Sequence, residues 1–408
     1  MEHDYDRELL DFIQSNPSPY HVIEAQRKRL LEAGYEQLLE SGHWDVRPGG
    51  KYFVTRNGSA IIAFRIPEKA SRGFMLMASH SDSPMLKIKE NPEITVEGAY
   101  QKLNVEVYGG ALLAPWFDRP LSVAGRVLVK TEGGVATRLV NVDRDLLLIP
   151  SLAIHMDRNA NSGHEYKAQR DLLPLYGGTD AEPLLETVAR ACGVEAGDIL
   201  SHDLFVYNRQ APSVWGAKGE FLSSPRLDDL QCAFSSLAGF LESETGESIP
   251  VHVVLDNEEI GSETKQGAAS VFLPETLAAI SEALGLSAAD HRALLADSMM
   301  LSGDNGHARH PNHPELADTN EAPVLNGGVV VKHSPRYATD GVSNAVFTEL
   351  CRRAEVPVQH YANRPDQMGG ATLGNIADTK LPIPTVDIGM AQLAMHSCFE
   401  TMGSRDVE

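Results

Sequence analysis

Basic residues, cysteine and long apolar runs are all scarce in this chain, and each scarcity excludes a class of protein. The 408 residues include 35 lysines and arginines against 56 aspartates and glutamates, which gives a formal net charge of −21. A negative charge of this size argues against a nucleic-acid surface and against docking on anionic lipid. We therefore expect neither nucleic acid nor a membrane among the partners of this protein.

The cysteines point to a reducing compartment. They number only 4, and no two of them form a C-x-x-C pair. Such spacing indicates neither a disulfide framework nor a thiolate zinc site. The opening stretch MEHDYDRELLDFIQSN lacks the basic start and apolar core of a signal peptide. No run approaches the roughly 18 apolar residues that span a bilayer. The predicted location is the cytoplasm.

The chain is long enough for two domains or one elaborated domain, with 42% hydrophobic residues to build the core. Helical patterns cover roughly residues 5–15 and 20–33, and Gly34 is placed to end the second helix. The stretch KYFVTRNGSAIIAFRI is typical of a hairpin that turns at Asn57-Gly58, and GFMLMASH is typical of a buried strand.

The middle of the chain differs from its two ends in the secondary structure that its sequence predicts. Between about residues 89 and 221 the sequence is β-rich, with Gly-Gly turns and few helical periods. Strand and helix patterns alternate again after this block. We therefore predict an α/β fold in which residues 1–88 and 222–408 together form the catalytic domain and residues 89–221 are an inserted β-rich domain.

Outside the predicted insertion, ionisable residues stand at the ends of several apolar runs, and one stands at the start of a predicted helix. Runs that are apolar on both faces predict strands covered by helices, and the carboxyl ends of such strands converge on the crevice where open α/β sheets bind ligands. Histidines and carboxylates that meet there suit zinc, cobalt or manganese. These residues are His80, Asp82, Asp228, Glu258, Glu259, Asp304 and His396.

Each of these residues alone has a simpler explanation. Asp228 could cap a helix, Asp304 could belong to a turn, and a histidine after a strand is commonly a hydrogen-bonded surface residue. The conjunction of all of them favours a metal site. The three histidines of HARHPNHPE form a different pattern, because Pro311 and Pro314 break any helix that would align them. We expect a loop there, with no further metal.

Six short motifs follow one another along the chain, in the order SHSDSP, SPRLDDL, DNEEIGS, SGDNGHARHPN, RYATD and AMHS. Together they resemble the motifs of the aspartyl aminopeptidase family of two-metal zinc peptidases. EVYGGALLAPWFDRPLSVAGRV and LAIHMDRN resemble the inserted domain of that family. The resemblance implies a zinc aminopeptidase-like catalytic domain with a mixed central sheet flanked by helices. It also implies an inserted dimerisation domain and assembly into a dodecamer built from dimers.

The resemblance also implies a division of the metal ligands between two zinc ions per subunit, with cobalt or manganese as other options. His80 and Asp304 match the ligands of one ion. Glu259 and His396 match the ligands of the other, and Asp228 matches the carboxylate that bridges both. Two motifs depart from the family pattern, with serine for threonine in SHSDSP and asparagine for histidine in DNEEIGS, and neither departure falls on a ligand.

The remaining roles concern the reaction and the substrate. Glu258 matches the general base, and Asp82 would orient the imidazole of the first ligand. His155 and His307 match histidines near the reacting carbonyl, and His155 is expected to reach across from a neighbouring subunit. Lys332 matches a lysine in the pocket for an acidic side chain, although a lysine that ends a strand is often simply solvated.

The expected function is therefore a metal-dependent aminopeptidase that removes N-terminal Asp or Glu from peptides with a free N-terminus. Two alternatives remain open on the residues alone. The same metal ligands would serve an amidohydrolase or deacetylase that acts on small N-acyl compounds. A non-catalytic, self-assembling relative is the other alternative, and the complete set of candidate ligands argues against it.

Overall fold

The computed structural model describes residues 4–69, 72–96, 98–244, 246–367, 369–370 and 373–408. Its first two helices, α1 (Tyr5–Ser15) and α2 (Pro19–Glu32), confirm the helical patterns of the sequence. Gly34 follows α2 with a φ of +81°, a left-handed conformation that glycine adopts without the Cβ clash of other residues. Asn57 and Gly58 also have positive φ angles, and they turn the predicted hairpin.

The central sheet of the described chain is mixed, as the sequence predicted. In spatial order its strands are β1 (Glu36–Gln37), β2 (Lys51–Arg56), β3 (Ala60–Arg65), β13 (Ile249–Leu255), β4 (Phe74–His80), β14 (Met299–Gly303), β18 (Thr385–Gly389), β16 (Val329–His333) and β17 (Val358–Ala362). The four neighbouring strands in the middle, from β13 to β18, run parallel. Strands β2, β3 and β16 pair with their neighbours toward the middle in antiparallel fashion.

Helices cover both faces of this sheet, and strand β3 shows why its sequence is uninterruptedly apolar. Successive side chains of a strand point to opposite faces. Ile61 packs in one core with α2 and α5 (Leu227–Glu242), whereas Ile62 and Phe64 pack in another with α6 (Phe272–Ala283) and α9 (Leu373–Asp378). Each such fully buried side chain stabilises the fold by roughly 1.5–3 kcal/mol. Two further helices are α7 (Ala288–Ala296) and α8 (Gly341–Ala354).

A second sheet, antiparallel throughout, has its own hydrophobic core. In spatial order its strands are β8 (Gly134–Asn141), β7 (Leu121–Thr131), β10 (Ile199–Asn208), β5 (Met85–Val96), β6 (Tyr100–Tyr108) and β9 (Leu175–Gly178). Helix α4 (Leu184–Cys192) packs against the edge strand β8, and α3 (Ala168–Asp171) is a single turn.

Strand β5 crosses the predicted domain boundary between residues 88 and 89, and β10 ends well before residue 221. A third, small sheet follows, in which chain segments far apart in sequence meet. In spatial order its strands are β11 (Ser213–Trp215), β12 (Phe221–Ser224), β20 (Glu400–Gly403), β19 (Ala391–Leu393) and β15 (Gly306–His307). The division into domains at residues 88 and 221 stays a prediction. No helix in the described ranges combines the length and the apolarity that crossing a membrane requires.

Candidate metal centre

Three parallel strands of the central sheet end at one edge and carry candidate ligands there. His80 is the last residue of β4 and lies in register with Leu255, the last residue of β13. Glu258 and Glu259 follow β13 in a short 3₁₀ turn, and Asp304 follows β14 directly. Because the carboxyl ends of parallel strands meet at the same edge, these side chains converge.

Asp228 lies between two groups of candidate ligands. It belongs to the first turn of α5, where its backbone leaves helical geometry. Its Oδ1 atom lies 3.6 Å from Nε2 of His80, and its Oδ2 atom lies 3.6 Å from Nε2 of His396. Glu259 Oε2 lies 3.4 Å from the same nitrogen of His396, and Asp304 Oδ1 lies 4.0 Å from that of His80. The two oxygens of one buried carboxylate thus face different histidines.

Asp82 is fully buried and holds the turn that carries the paired glutamates. The backbone N–H groups of Glu258 and Glu259 donate to its two oxygens, at 3.1 and 3.2 Å. The hydroxyl of Tyr108 donates to its Oδ2 atom at 2.7 Å. Nδ1 of His80 lies 3.1 Å from the Asp82 carbonyl oxygen and 3.3 Å from its carboxylate. These contacts set both the position of the glutamates and the orientation of the imidazole.

Burial and mutual repulsion alter the pKa values of this cluster. Burial, together with the charges of Asp304 and Asp82, raises the pKa of Glu258 to about 8. Burial and the charge of Asp228 hold the pKa of Glu259 well above its ordinary value. Burial acts to lower the pKa of His80, but the neighbouring carboxylates outweigh it and hold that pKa well above its ordinary value. The carboxylates therefore repel one another, and a bound cation would stabilise their ionised forms.

The donor atoms of the cluster fit a cation. Ligand atoms of His80, Asp228, Asp229 and Asp304 lie within 4.8 Å of one another, and so do those of Asp228, Glu259 and His396. Within the described part of the chain, Asp228 Oδ1, Asp229 Oδ1 and Glu259 Oε1 are buried without a hydrogen-bond partner. Buried oxygens of this kind are costly unless a proton or a cation satisfies them. Imidazole and carboxylate donors suit zinc, cobalt or manganese.

Lys332 is buried rather than solvated, with 3% of its surface exposed. Its ammonium donates to Asp304 Oδ2 at 2.9 Å and to the carbonyl oxygen of Asn305 at 3.2 Å. The ring of Tyr337 lies 5.6 Å from the nitrogen. The lysine therefore adjoins the metal cluster and supplies it with a positive charge.

The two predicted substrate histidines are not among the clustered ligand residues. His307 is exposed and borders a cavity of about 300 Å³, where its ring lies 6.1 Å from that of Tyr361. His155 lies in an exposed turn between β8 and β9, flanked by the exposed side chains of Ile154 and Met156. Within this chain His155 thus has no part in the cluster formed by the described residues.

The histidines of HARHPNHPE form no metal cluster among the described residues. The rings of His310 and His313 lie 5.3 Å apart, in the predicted loop. The His313 side chain is 60% exposed and pairs with Glu315, with a separation of 3.2 Å.

Several residues at the site were not predicted. Asp229 places a ligand atom beside His80 and accepts a hydrogen bond from its backbone N–H at 3.1 Å, and its position beside Asp228 was the one available hint. Gly110 comes from the inserted segment, and its carbonyl oxygen lies 3.0 Å from Nδ1 of His396. Glu400 joins the site from strand β20, and no motif in the sequence marks it.

Comparison with known proteins shows which family this chain resembles throughout its length. The profile of the aminopeptidase I zinc metalloprotease (M18) family matches residues 12–408. A probable M18 family aminopeptidase 2 of Clostridium acetobutylicum is 42% identical over an alignment of 416 positions, which covers 99% of this chain and 96% of that protein. A chain in the solved complex of Ape4 and Nbr1 is 33% identical, with a TM-score of 0.95 over 99% of this chain and 83% of that chain. The mApe1 dodecamer of S. cerevisiae is 30% identical, with a TM-score of 0.86 over 99% of this chain and 94% of that chain.

The fold and the activity class expected from the sequence are confirmed by these relatives. Among the described residues, histidine and carboxylate side chains form a possible metal-binding cluster. The chain belongs to the aminopeptidase I zinc metalloprotease family, M18.

Proposed function

We propose that this protein removes acidic N-terminal residues, Asp or Glu, from peptides with a free N-terminus, at a site that holds two zinc ions. The observation that carries the two-ion site is the placement of Asp228, whose oxygens face His80 and His396 at 3.6 Å each. One carboxylate between two groups of ligands is the arrangement that a pair of ions needs.

His80 and Asp304 would hold one ion, Glu259 and His396 the other, and Asp228 both. Bound zinc supplies Lewis-acid chemistry, which polarises the scissile carbonyl and makes water more acidic. Cobalt or manganese would fit the same donor atoms.

Glu258 serves as the general base. Water attacks the carbonyl carbon while Glu258 takes its proton, and the same carboxyl returns that proton to the leaving amine as the C–N bond breaks. Asp82 supports this role because it accepts hydrogen bonds from the backbone of both glutamates. His307, together with His155 of a neighbouring subunit, binds the carbonyl oxygen of the substrate.

Lys332 gives the preference for acidic residues. An ammonium carries three N–H donors, and two of those of Lys332 are directed to Asp304 and Asn305. The third is available to the carboxylate of a substrate side chain. The net charge of −21 repels acidic peptides at long range, so the preference depends on this local positive charge.

Two substitutions of the paired glutamates test the assignment. Glu258→Gln should keep both zinc ions and lose turnover, whereas Glu259→Gln should lose one zinc ion per subunit. Metal content by mass spectrometry and peptide cleavage provide the two measurements. Glu263→Gln, in an exposed position of the same loop, is the matched control. Normal turnover by Glu258→Gln, or one zinc ion per wild-type subunit, would show the proposal to be wrong.

A complementation experiment tests the role of His155 across subunits. Glu258→Gln subunits retain His155, and His155→Ala subunits retain Glu258. Each variant alone should be nearly inactive, and co-expression of both should restore activity because mixed assemblies contain complete sites. Failure to recover activity in verified mixed assemblies would remove His155 from the neighbouring site.

We propose further that the protein assembles into a dodecamer built from dimers and works in the cytoplasm. The exposed apolar side chains of Ile154 and Met156, which flank His155, support an interface in this region. The solved relative in S. cerevisiae is a dodecamer. The free thiols of the four cysteines support a reducing compartment. Light scattering gives the mass of the assembly, and cell fractionation gives the location.

A substrate comparison separates peptidase from deacylase activity. The proposed function requires cleavage of aminoacyl substrates with a free amino group. Turnover of N-acylated amino acids, with no cleavage of free aminoacyl peptides, would favour an amidohydrolase instead.

A further inference from the structure

Glu400 is a buried carboxylate that belongs to none of the roles above. It is the first residue of strand β20, and 1% of its surface is exposed. It pairs across the small sheet with Ser224 of β12, the strand that precedes α5. This register places the Glu400 carboxylate beside the start of α5, the helix that carries Asp228.

The two oxygens of Glu400 accept hydrogen bonds from the backbones of two proposed metal ligands. The N–H of His396 donates to Oε1 at 2.7 Å, and the N–H of Asp228 donates to Oε2 at 3.0 Å. These ligands are far apart in sequence, and Glu400 connects them directly.

Both backbone segments need such support, because neither His396 nor Asp228 has the backbone angles of a regular helix or strand. His396 has a φ of +66°, a left-handed conformation that costs energy in any residue with a side chain. Asp228 has φ and ψ angles of −83° and 108°, outside the helical range. The contacts of Glu400 are therefore placed to keep both segments in the geometry that directs their side chains toward each other.

We propose that Glu400 is a positioning residue of the metal centre, which sets the separation of Asp228 and His396 through its two backbone contacts. The inference depends on the ligand assignment of the proposed function. It predicts that weakening either contact lowers metal affinity more than it lowers the stability of the fold.

The substitution Glu400→Gln tests this role. Glutamine has nearly the same shape, but only one of its two terminal atoms accepts a hydrogen bond, so one backbone N–H faces an NH₂ group. Metal affinity should fall by about 10- to 100-fold, as for other partners that orient metal ligands. Competition with a chelating dye measures the affinity in the assembled protein, and excess zinc should restore most of the lost turnover.

Asp406 offers a matched control. It is also buried, with 5% of its surface exposed, and its two oxygens accept hydrogen bonds from the backbone N–H groups of Asn326 and Gly328, at 2.6 and 2.9 Å. Asp406→Asn should lower the melting temperature by about as much as Glu400→Gln, on the order of a few degrees, and leave metal affinity unchanged.

Weaker metal binding in Glu400→Gln alone supports the proposal. Equal affinity in Glu400→Gln and wild type, or equal loss in both variants, overturns it. If Glu400→Gln fails to fold with zinc present while Asp406→Asn folds, Glu400 serves the general fold and the proposal also fails. A metal effect in a protein that cleaves no aminoacyl peptide would support Glu400 and refute the proposed function separately.

Discussion

Replacing Lys332 with methionine removes the positive charge beside the metal cluster while keeping most of the apolar stem. The lost group donates to Asp304 and Asn305, and its remaining N–H is the one that the proposed function assigns to an acidic substrate. A hydrogen bond to a charged group contributes about 1.5–3 kcal/mol. At about 1.4 kcal/mol for each factor of ten, kcat/KM for an aspartyl substrate should fall about 10- to 150-fold relative to a leucyl substrate.

The assay compares aminoacyl amides of Asp, Glu, Leu and Lys at saturating zinc, in wild type and Lys332→Met. The ratio of kcat/KM for Asp to that for Leu is the decisive quantity. Because Lys332 also pairs with Asp304, the variant should lose activity on every substrate, and the ratio cancels that shared loss. Lys87→Met controls for the removal of one positive charge elsewhere, since Lys87 is partly exposed and pairs with Asp203. A ratio that changes less than about twofold would refute the reasoning.

Three further predictions concern Asp82, the buried His252 and the removal of metal. Asp82→Asn should weaken zinc binding about 10- to 100-fold, since the amide cannot accept from both glutamate N–H groups, and unchanged dye competition would contradict this. Burial lowers the pKa of His252 to about 3, below the 6.5 of the unfolded chain, so its stabilisation is present above pH 6.5 and is lost toward pH 3. Between pH 7 and 5 this amounts to about 2 kcal/mol, and denaturant unfolding of His252→Gln should be less pH-dependent by that amount. Chelation should abolish activity and lower the melting temperature. Zinc at 100 times its Kd should then add about 2.7 kcal/mol to the free energy of unfolding, whereas a melting temperature that does not change with zinc would exclude a bound ion.

The sequence predicted the elements of the catalytic part well because their signals are local. The strand at residues 60–65, which is apolar on both faces, and the histidine that ends β4 can both be predicted from a few neighbouring residues. The predicted insertion was harder to delimit, since β5 is one continuous strand that crosses residue 88. A strand contains no local signal of the sheet it joins.

The motifs by themselves determined the family, the class of chemistry and the candidate ligands, because each motif is a short run of neighbouring residues that can be read directly from the sequence. Only the tertiary structure placed the two oxygens of Asp228 between two histidines, buried Lys332 against Asp304, and brought Asp229 and Glu400 to the site. The physical reason is that these contacts join residues far apart in sequence or depend on how one backbone turn is oriented. Such contacts form when sheets close and helices pack, and no stretch of neighbouring residues records them.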